Sequence, residues 1–331
     1  LLLIEPRPWR GFFIAKSFGD YSMRHITLLL VALGLSSAVL AEDYSTAKPG
    51  ELLQVPLQAL HPTQAAVGYD QIYYKLGRFA QERNKLFDEY CEANGQGESA
   101  KVPGDADLHK PESFTCQDKV GARSSEMKTV VVGPGGKLFL TDGHHTFTVL
   151  MEHPGGGENL SMWVRVTDNF SDSADLASFW QRMELERKVW LKDGNGQPID
   201  SGQIPAQLGL QHLANDPYRA LVYFTREVGY DKPRSGEVAP EFLEFYWGNW
   251  LRSVLPLDGY DLSDRGDYRD AVEAAAKKMV ALAPDENVGD SGFKARELGG
   301  YSSLDRKELN KVAGRKLNYA TSYKKSLASR S

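Results

Sequence analysis

Asp142-Gly143-His144-His145-Thr146 sets a carboxylate, a glycine, two imidazoles and a hydroxyl in five consecutive positions. The flanking residues, Lys137 to Leu140 before and Phe147, Leu150 and Met151 after, predict a strand that turns directly into a helix. Such a junction leaves backbone N–H groups unpaired at the positive end of the helix dipole, which suits a phosphate or another anion. Gly143 allows a tight turn and a close approach of ligand to backbone. Histidine titrates near neutrality and is the commonest general acid or base. Neighbouring helical residues point about 100° apart, so His144 and His145 are expected to hold different jobs. His144, at the rim of the inner stripe, is the candidate acid/base or nucleophile. His145, more lateral, is the candidate binding residue. Asp142 is expected to orient an imidazole or hold a metal-bound water, or, in a purely structural turn, merely to cap the helix. A purely structural turn with two surface histidines fits the same five residues.

A metal set of Asp142, His144, His145 and His153 is disfavoured. His145 and His153 lie about 12 Å apart along one helix, and no HxxxH or HExxH spacing is present.

Other elements must hold this turn. Thr129 to Val132 reads as a buried strand, Gly133-Pro134-Gly135-Gly136 as a turn, and Met162 to Thr167 as a strand with Met162, Val164 and Val166 on one face. Leu52 to Leu60 alternates in part, and Pro56 makes it an edge strand or lead-in. Gly68 to Tyr90 carries a helical stripe through Ile72, Leu76, Phe79, Leu86 and Tyr90, and residues 94–119 read as a long loop. Strand signal fades after residue 172. Helices are predicted over 174–191, from Asp216-Pro217 with Asp as N-cap, over 240–255 and over 268–283. From Asp285 onward the periodicity is weak.

The chain has 331 residues with 41% hydrophobic, 11% aromatic and 25% charged residues, which excludes collagen-like and wholly disordered classes. Its net charge of −5 argues against a strongly cationic nucleic-acid binder. The charge is uneven. Residues 42–290 carry 25 basic and 39 acidic side chains, whereas residues 291–331 carry ten basic and three acidic. Met23-Arg24-His25, the apolar run from Ile26 and the small residues ending at Ala41 read as a secretory signal peptide over 23–41. Residues 1–22 read as an upstream leader translated ahead of Met23. The apolar stretch is short for a membrane span, so no stable span is expected after cleavage. A secreted or periplasmic location makes Cys91 and Cys116 a disulfide candidate, and the absence of CxxC leaves thiol redox catalysis unsupported.

The string VVVGPGGKLFLTDGHHTFTVL, preceded by LQVPLQALHPTQAAVGY and followed by DPYRAL and EFYWGNWLR, resembles the ParB-like nuclease family of the ParB/sulfiredoxin fold, from about Leu53 to Arg252. The resemblance implies an α+β chain: a ParB/sulfiredoxin-like α/β domain over 42–171, a helical region over 172–284 and a basic tail over 285–331. It also implies that the strand-to-helix turn cradles a phosphoryl group. Gly143 matches the glycine that opens this loop in the partition proteins and in sulfiredoxin. His144 stands where sulfiredoxin has its nucleophilic cysteine, so sulfinic-acid reduction is excluded. His145 matches that motif's histidine, and Thr146 replaces an arginine that clamps phosphate in both relatives. Thr63 and Gln64, from the family's PTQ, are expected at the same pocket. Lys75 and Arg78 are candidates for the cation missing at Thr146. Arg219 and Arg252 read as structural pairs, and Trp247 and Trp250 as core.

These readings predict an exported enzyme that binds a phosphate-bearing small molecule or nucleic acid at Asp142–Thr146 and cleaves or transfers at phosphorus. Gly143 and Thr146 would hold phosphate through backbone and hydroxyl, with a divalent ion such as Mg as the cofactor to test. The rival readings are a non-catalytic phosphate-binding envelope module and a small-molecule kinase resembling free serine kinase.

Overall fold

The computed structural model describes residues 43–232 and 239–329. The expected leader over 1–22 and signal peptide over 23–41 lie outside the described residues. Alternating and β-branched segments build a five-stranded mixed sheet. Its strands are β1 (Leu52–Pro56), β2 (Leu60–Pro62), β6 (Lys128–Val132), β7 (Leu138–Asp142) and β8 (Ser161–Asn169), in the order β1-β8-β6-β7-β2. Pro56 lies on an edge strand, where a missing N–H leaves no ladder bond unmade. A short turn returns β6 antiparallel into β7, pairing Val130 with Leu140 and Val132 with Leu138. Met162, Val164 and Val166 of β8 are fully buried on one face, as their alternation predicts.

The short strand β3 (Ala66–Val67) leads into α1 (Tyr69–Gln81), and α2 (Asn84–Ala93) follows. The helical stripe expected as one helix over 68–90 is therefore two helices with a break at Glu82–Arg83, which turns α2 toward the sheet while Leu86 and Tyr90 stay in the core. The expected long loop over 94–119 contains a small hairpin, β4 (Ser99–Lys101) with β5 (Thr115–Cys116). Cys91 on α2 and Cys116 on β5 form a disulfide. Replacing both by serine is expected to lower unfolding free energy by about 3 kcal/mol, because the loop that they close is freed in the unfolded chain. Chemical denaturation of oxidised wild type and the double variant would measure it.

Helix α3 (His144–Glu152) follows β7 and is the most enclosed helix of the α/β part, with every residue from His144 to Leu150 buried. Beyond β8 the chain is mainly helical: α4 (Leu176–Leu185), the two-residue strand β9 (Ala214–Asn215) paired with β3, α5 (Pro217–Thr225), α6 (Leu243–Val254) and α7 (Arg265–Ala281). The Asp216 side chain caps α5 by accepting from the Arg219 N–H, as the Asp-Pro start predicts.

The basic segment after Asp285 is ordered into helix, although its periodicity is weak. It forms α8 (Arg306–Lys311), a π turn over Val312–Lys316 and α9 (Leu317–Ala328). Leu317 and Ala320 bury into the helical core, and α9 lies along α1 so closely that a Cβ on Gly77 would meet the Tyr319 carbonyl oxygen at 2.5 Å. Among the described residues, no helix is long and apolar enough to cross a membrane.

Candidate functional site

The turn from β7 into α3 opens a cavity of about 250 Å³. Gly143 precedes the helix with a left-handed φ of 113°. A side chain there would be strained, and its Cβ would lie 2.7 Å from the Lys128 side chain. The first helical bond runs from Phe147 N–H to Gly143, so the N–H groups of His144, His145 and Thr146 have no acceptor within the helix. The purely structural reading makes Asp142 the helix cap. Gly143 holds that position instead, with no side-chain cap bond, because Asp142 completes β7 and its carboxylate turns to Lys128 at 3.5 Å.

Both histidines engage the same neighbouring segment through one ring nitrogen. The Nε2 of His144 accepts from the Thr63 N–H at 3.1 Å, and the Nε2 of His145 accepts from the Gly68 N–H at 2.9 Å. The chain between β2 and α1 runs past this helix end, so two rings pointing in different directions both meet it. With Nε2 accepting, each neutral ring carries its proton on Nδ1 and is a donor there. Burial, only partly opposed by the Asp142 charge, lowers the His144 pKa to about 3. Burial and the nearby Arg219 push His145 well below the ordinary histidine value. Neither ring is on the surface.

The expected site residues separate into two groups. Gln64, Lys75, Asp142, Gly143, His144, His145 and Thr146 line the cavity. Thr63 is fully buried behind it, and its hydroxyl donates to the Leu140 carbonyl. Thr146 donates its hydroxyl to Glu89 at 2.8 Å, and Lys75 is paired with the same carboxylate. Burial acts to raise the Glu89 pKa, but Lys75 outweighs it and the carboxyl is held low. Arg78 points elsewhere, toward Tyr74 and Glu82.

Sequence reasoning missed most of the cationic wall. Lys128 from β6, Arg219 from the first turn of α5, Arg226 from just past its end, and Lys232 join Lys75, so five cations line the cavity against two carboxylates, Asp142 and Glu244. Lys75, Lys128 and the 219–232 stretch are far apart in sequence, and no local pattern marks them as one group. Lys232 lies 3.4 Å from Glu244, and Arg226 lies 3.2 Å from Asp231. Burial works to raise Glu244, but Lys232 and Arg219 hold its pKa at about 2. The surrounding protein also works against ionised Asp142, and Lys128 and Lys232 overcome it and lower its pKa. Phe242 and Phe245 complete the wall, and Phe242 holds a left-handed φ of 60°, which is strained for a bulky residue. Arg252 forms the expected structural pair, with Asp216 at 2.9 Å, whereas Arg219 lines the cavity. Among the described residues, no group of three or more His, Cys, Asp or Glu is placed to hold a metal ion.

These shifts set an acid limit on stability. His144 is neutral in the fold down to about pH 3 but takes a proton below its ordinary 6.5 when unfolded. Its contribution is therefore complete above 6.5 and is lost as pH falls from there toward 3. The Glu244 contribution is complete above 4.5 and is lost as pH falls toward 2. The melting temperature is expected to fall progressively below about pH 6.5, with a smaller early drop in His144→Gln. A curve flat down to about pH 4 would contradict the buried neutral imidazole.

A mixed sheet whose strand β7 turns through a positive-φ glycine into a buried helix, followed by a helical region, defines a ParB-like α/β protein. The chain matches the profile of the family described as "Putative ParB-like nuclease" over residues 53–253, and it belongs to that family. Among solved structures it is similar to protein Atu1540 from Agrobacterium tumefaciens, with 23% sequence identity and a TM-score of 0.50. That match covers 77% of this chain and 100% of the other, and at this identity it speaks for the fold alone. No curated protein is similar to the chain in sequence.

Proposed function

We propose that this protein binds the phosphoryl group of a phosphate-bearing small molecule or nucleic acid in the cavity at Asp142–Thr146, and that it cleaves or transfers at phosphorus. One observation carries the reading: five cationic side chains converge on the free N-terminus of α3 in a chain whose main body is acidic. The geometry supports a changed role for His144. Its Nε2 is committed to Thr63, so it acts as a neutral Nδ1–H donor to a phosphoryl or leaving-group oxygen rather than as a base. Asp142, with 62% of its side chain exposed, would orient an attacking water. Export of the mature chain belongs to the same proposal, and the Cys91–Cys116 disulfide supports it because such bonds persist in oxidising compartments.

A non-catalytic phosphate-binding module is the second reading, favoured by the engagement of both Nε2 atoms in backbone bonds. Low-salt assays of oligonucleotides, nucleotides and simple phosphate esters, with and without Mg, separate the two. Turnover that disappears in Asp142→Asn supports the enzyme. Phosphate-dependent stabilisation with no turnover of any phosphoester supports the binding module and ends the catalytic reading.

A further inference from the structure

We propose that Arg219 is a buried anion clamp whose guanidinium receives, from the α5 side of the cavity, the same oxyanion that the N-terminus of α3 binds. The inference rests on the reading of this cavity as a phosphate site. It adds a binding residue that the turn itself does not contain.

The argument begins with charge. Four of the five lining cations have a carboxylate of their own: Lys75 with Glu89, Lys128 with Asp142, Arg226 with Asp231 and Lys232 with Glu244. Arg219 does not. Its nearest carboxylate is Glu244 at 3.9 Å, beyond hydrogen-bond reach and closer to Lys232. Yet Arg219 is only 6% exposed. Among the described residues, its guanidinium makes one hydrogen bond, from Nη1 to the Gln71 side-chain oxygen at 3.0 Å, and its Nε is buried without a partner. A guanidinium has five N–H donors, so most of its capacity is unspent. Arg252 also leaves Nε without a partner, but its charge is met by Asp216 at 2.9 Å.

A buried guanidinium that shares its one carboxylate, Glu244, with Lys232 is incompletely paired, and an anion in the cavity would complete the pairing. The planar fork of arginine suits two oxygens of one phosphoryl group better than a lysine would. The Phe245 ring, 5.4 Å from the guanidinium carbon, and the bond to Gln71 fix its orientation in advance. Thr146 cannot donate to the same ligand while its hydroxyl is committed to Glu89, which leaves this wall of the cavity to Arg219.

Thermal unfolding of the full chain, titrated with inorganic phosphate, tests the assignment through three variants. Arg219→Met keeps length and the Phe245 contact without the charge. It is expected to melt at or above the wild-type temperature without phosphate and to lose the phosphate-dependent rise. Arg219→Lys is expected to need at least about tenfold more phosphate for the same rise, since it lacks the fork. Arg252→Met, which breaks a structural pair, is expected to melt lower and to keep its response to phosphate. A phosphate response retained in Arg219→Met, or an unchanged midpoint in Arg219→Lys, overturns the clamp and leaves the cavity reading intact. No response in the wild type overturns both. If Arg219→Met does not fold, the Arg219→Lys midpoint decides.

Discussion

His144→Ala is expected to lower phosphoester turnover by at least about 100-fold, the loss seen when one pre-oriented donor is removed from a reaction centre. The substitution deletes the Nδ1–H donor and also strands the Thr63 N–H, which is buried and now bonds to Nε2. An orphaned buried N–H costs about 1–3 kcal/mol, so stability falls alongside activity. The pH profile separates the two effects. A histidine acting as base would put a limb near its ordinary 6.5, whereas a ring whose pKa is about 3 contributes none across the neutral range. Turnover in the wild type is therefore expected to show no imidazole limb between about pH 5 and pH 8. A limb that vanishes in His144→Gln would return the ring to acid/base duty. Equal and mild losses in His144→Ala and His145→Ala would make the turn structural only.

The second large effect is expected at Gly68, which lies far from any obvious chemistry in the sequence. A Cβ at this position would come within 2.6 Å of the Ala220 nitrogen and 2.8 Å of its Cα, both in the backbone of α5. Side chains can swing aside, but a helix backbone has to move as a unit. Gly68→Val is expected to cost about 3 kcal/mol, in the range for overpacking a close-packed contact. It also displaces the helix that carries Arg219 and disturbs the N–H that holds His145. The expected result is a lower melting temperature together with a weakened response to phosphate. Gly104, where an added Cβ would meet nothing within 4 Å, is the control. Gly104→Val is expected to stay within about 0.5 kcal/mol of wild type. Equal effects at the two glycines would mean that the α1–α5 contact is looser than its geometry implies.

Much of the fold was legible because its signals are local. Alternation in β8, the Gly-Pro-Gly-Gly return between β6 and β7 and the Asp-Pro start of α5 each declare themselves within a few residues. Misreadings arose where tertiary contacts overrule local pattern. The stripe through Ile72 and Leu86 keeps its helical register across the break at Glu82–Arg83, so periodicity alone cannot see two helices. The last helix packs against α1 at Gly77, and its weak periodicity concealed it. The turn at Asp142–Thr146 was visible as a motif, but the spacing of its histidines says nothing of their partners. The strand-to-helix connection at Thr63 and Gly68 engages both rings. The cationic wall was invisible for a simpler reason. Lys128, Arg226 and Lys232 are brought together by the fold alone.

The packing of α9 on α1 also sets a clock on the making of this protein. Gly77 leaves the ribosome roughly 240 residues before Tyr319, a gap of about 12 to 48 s at ordinary rates of synthesis. Until then the face of α1 that α9 covers has nothing to lie against. The segment matched to the family ends at residue 253, inside α6, so it lacks this closing helix. Nascent chains stalled before Leu317 are therefore expected to remain open to protease along α1, and emergence of α9 to close them in one step. A polypeptide that cannot complete this packing until α9 arrives is also one that stays threadable until that helix has been made.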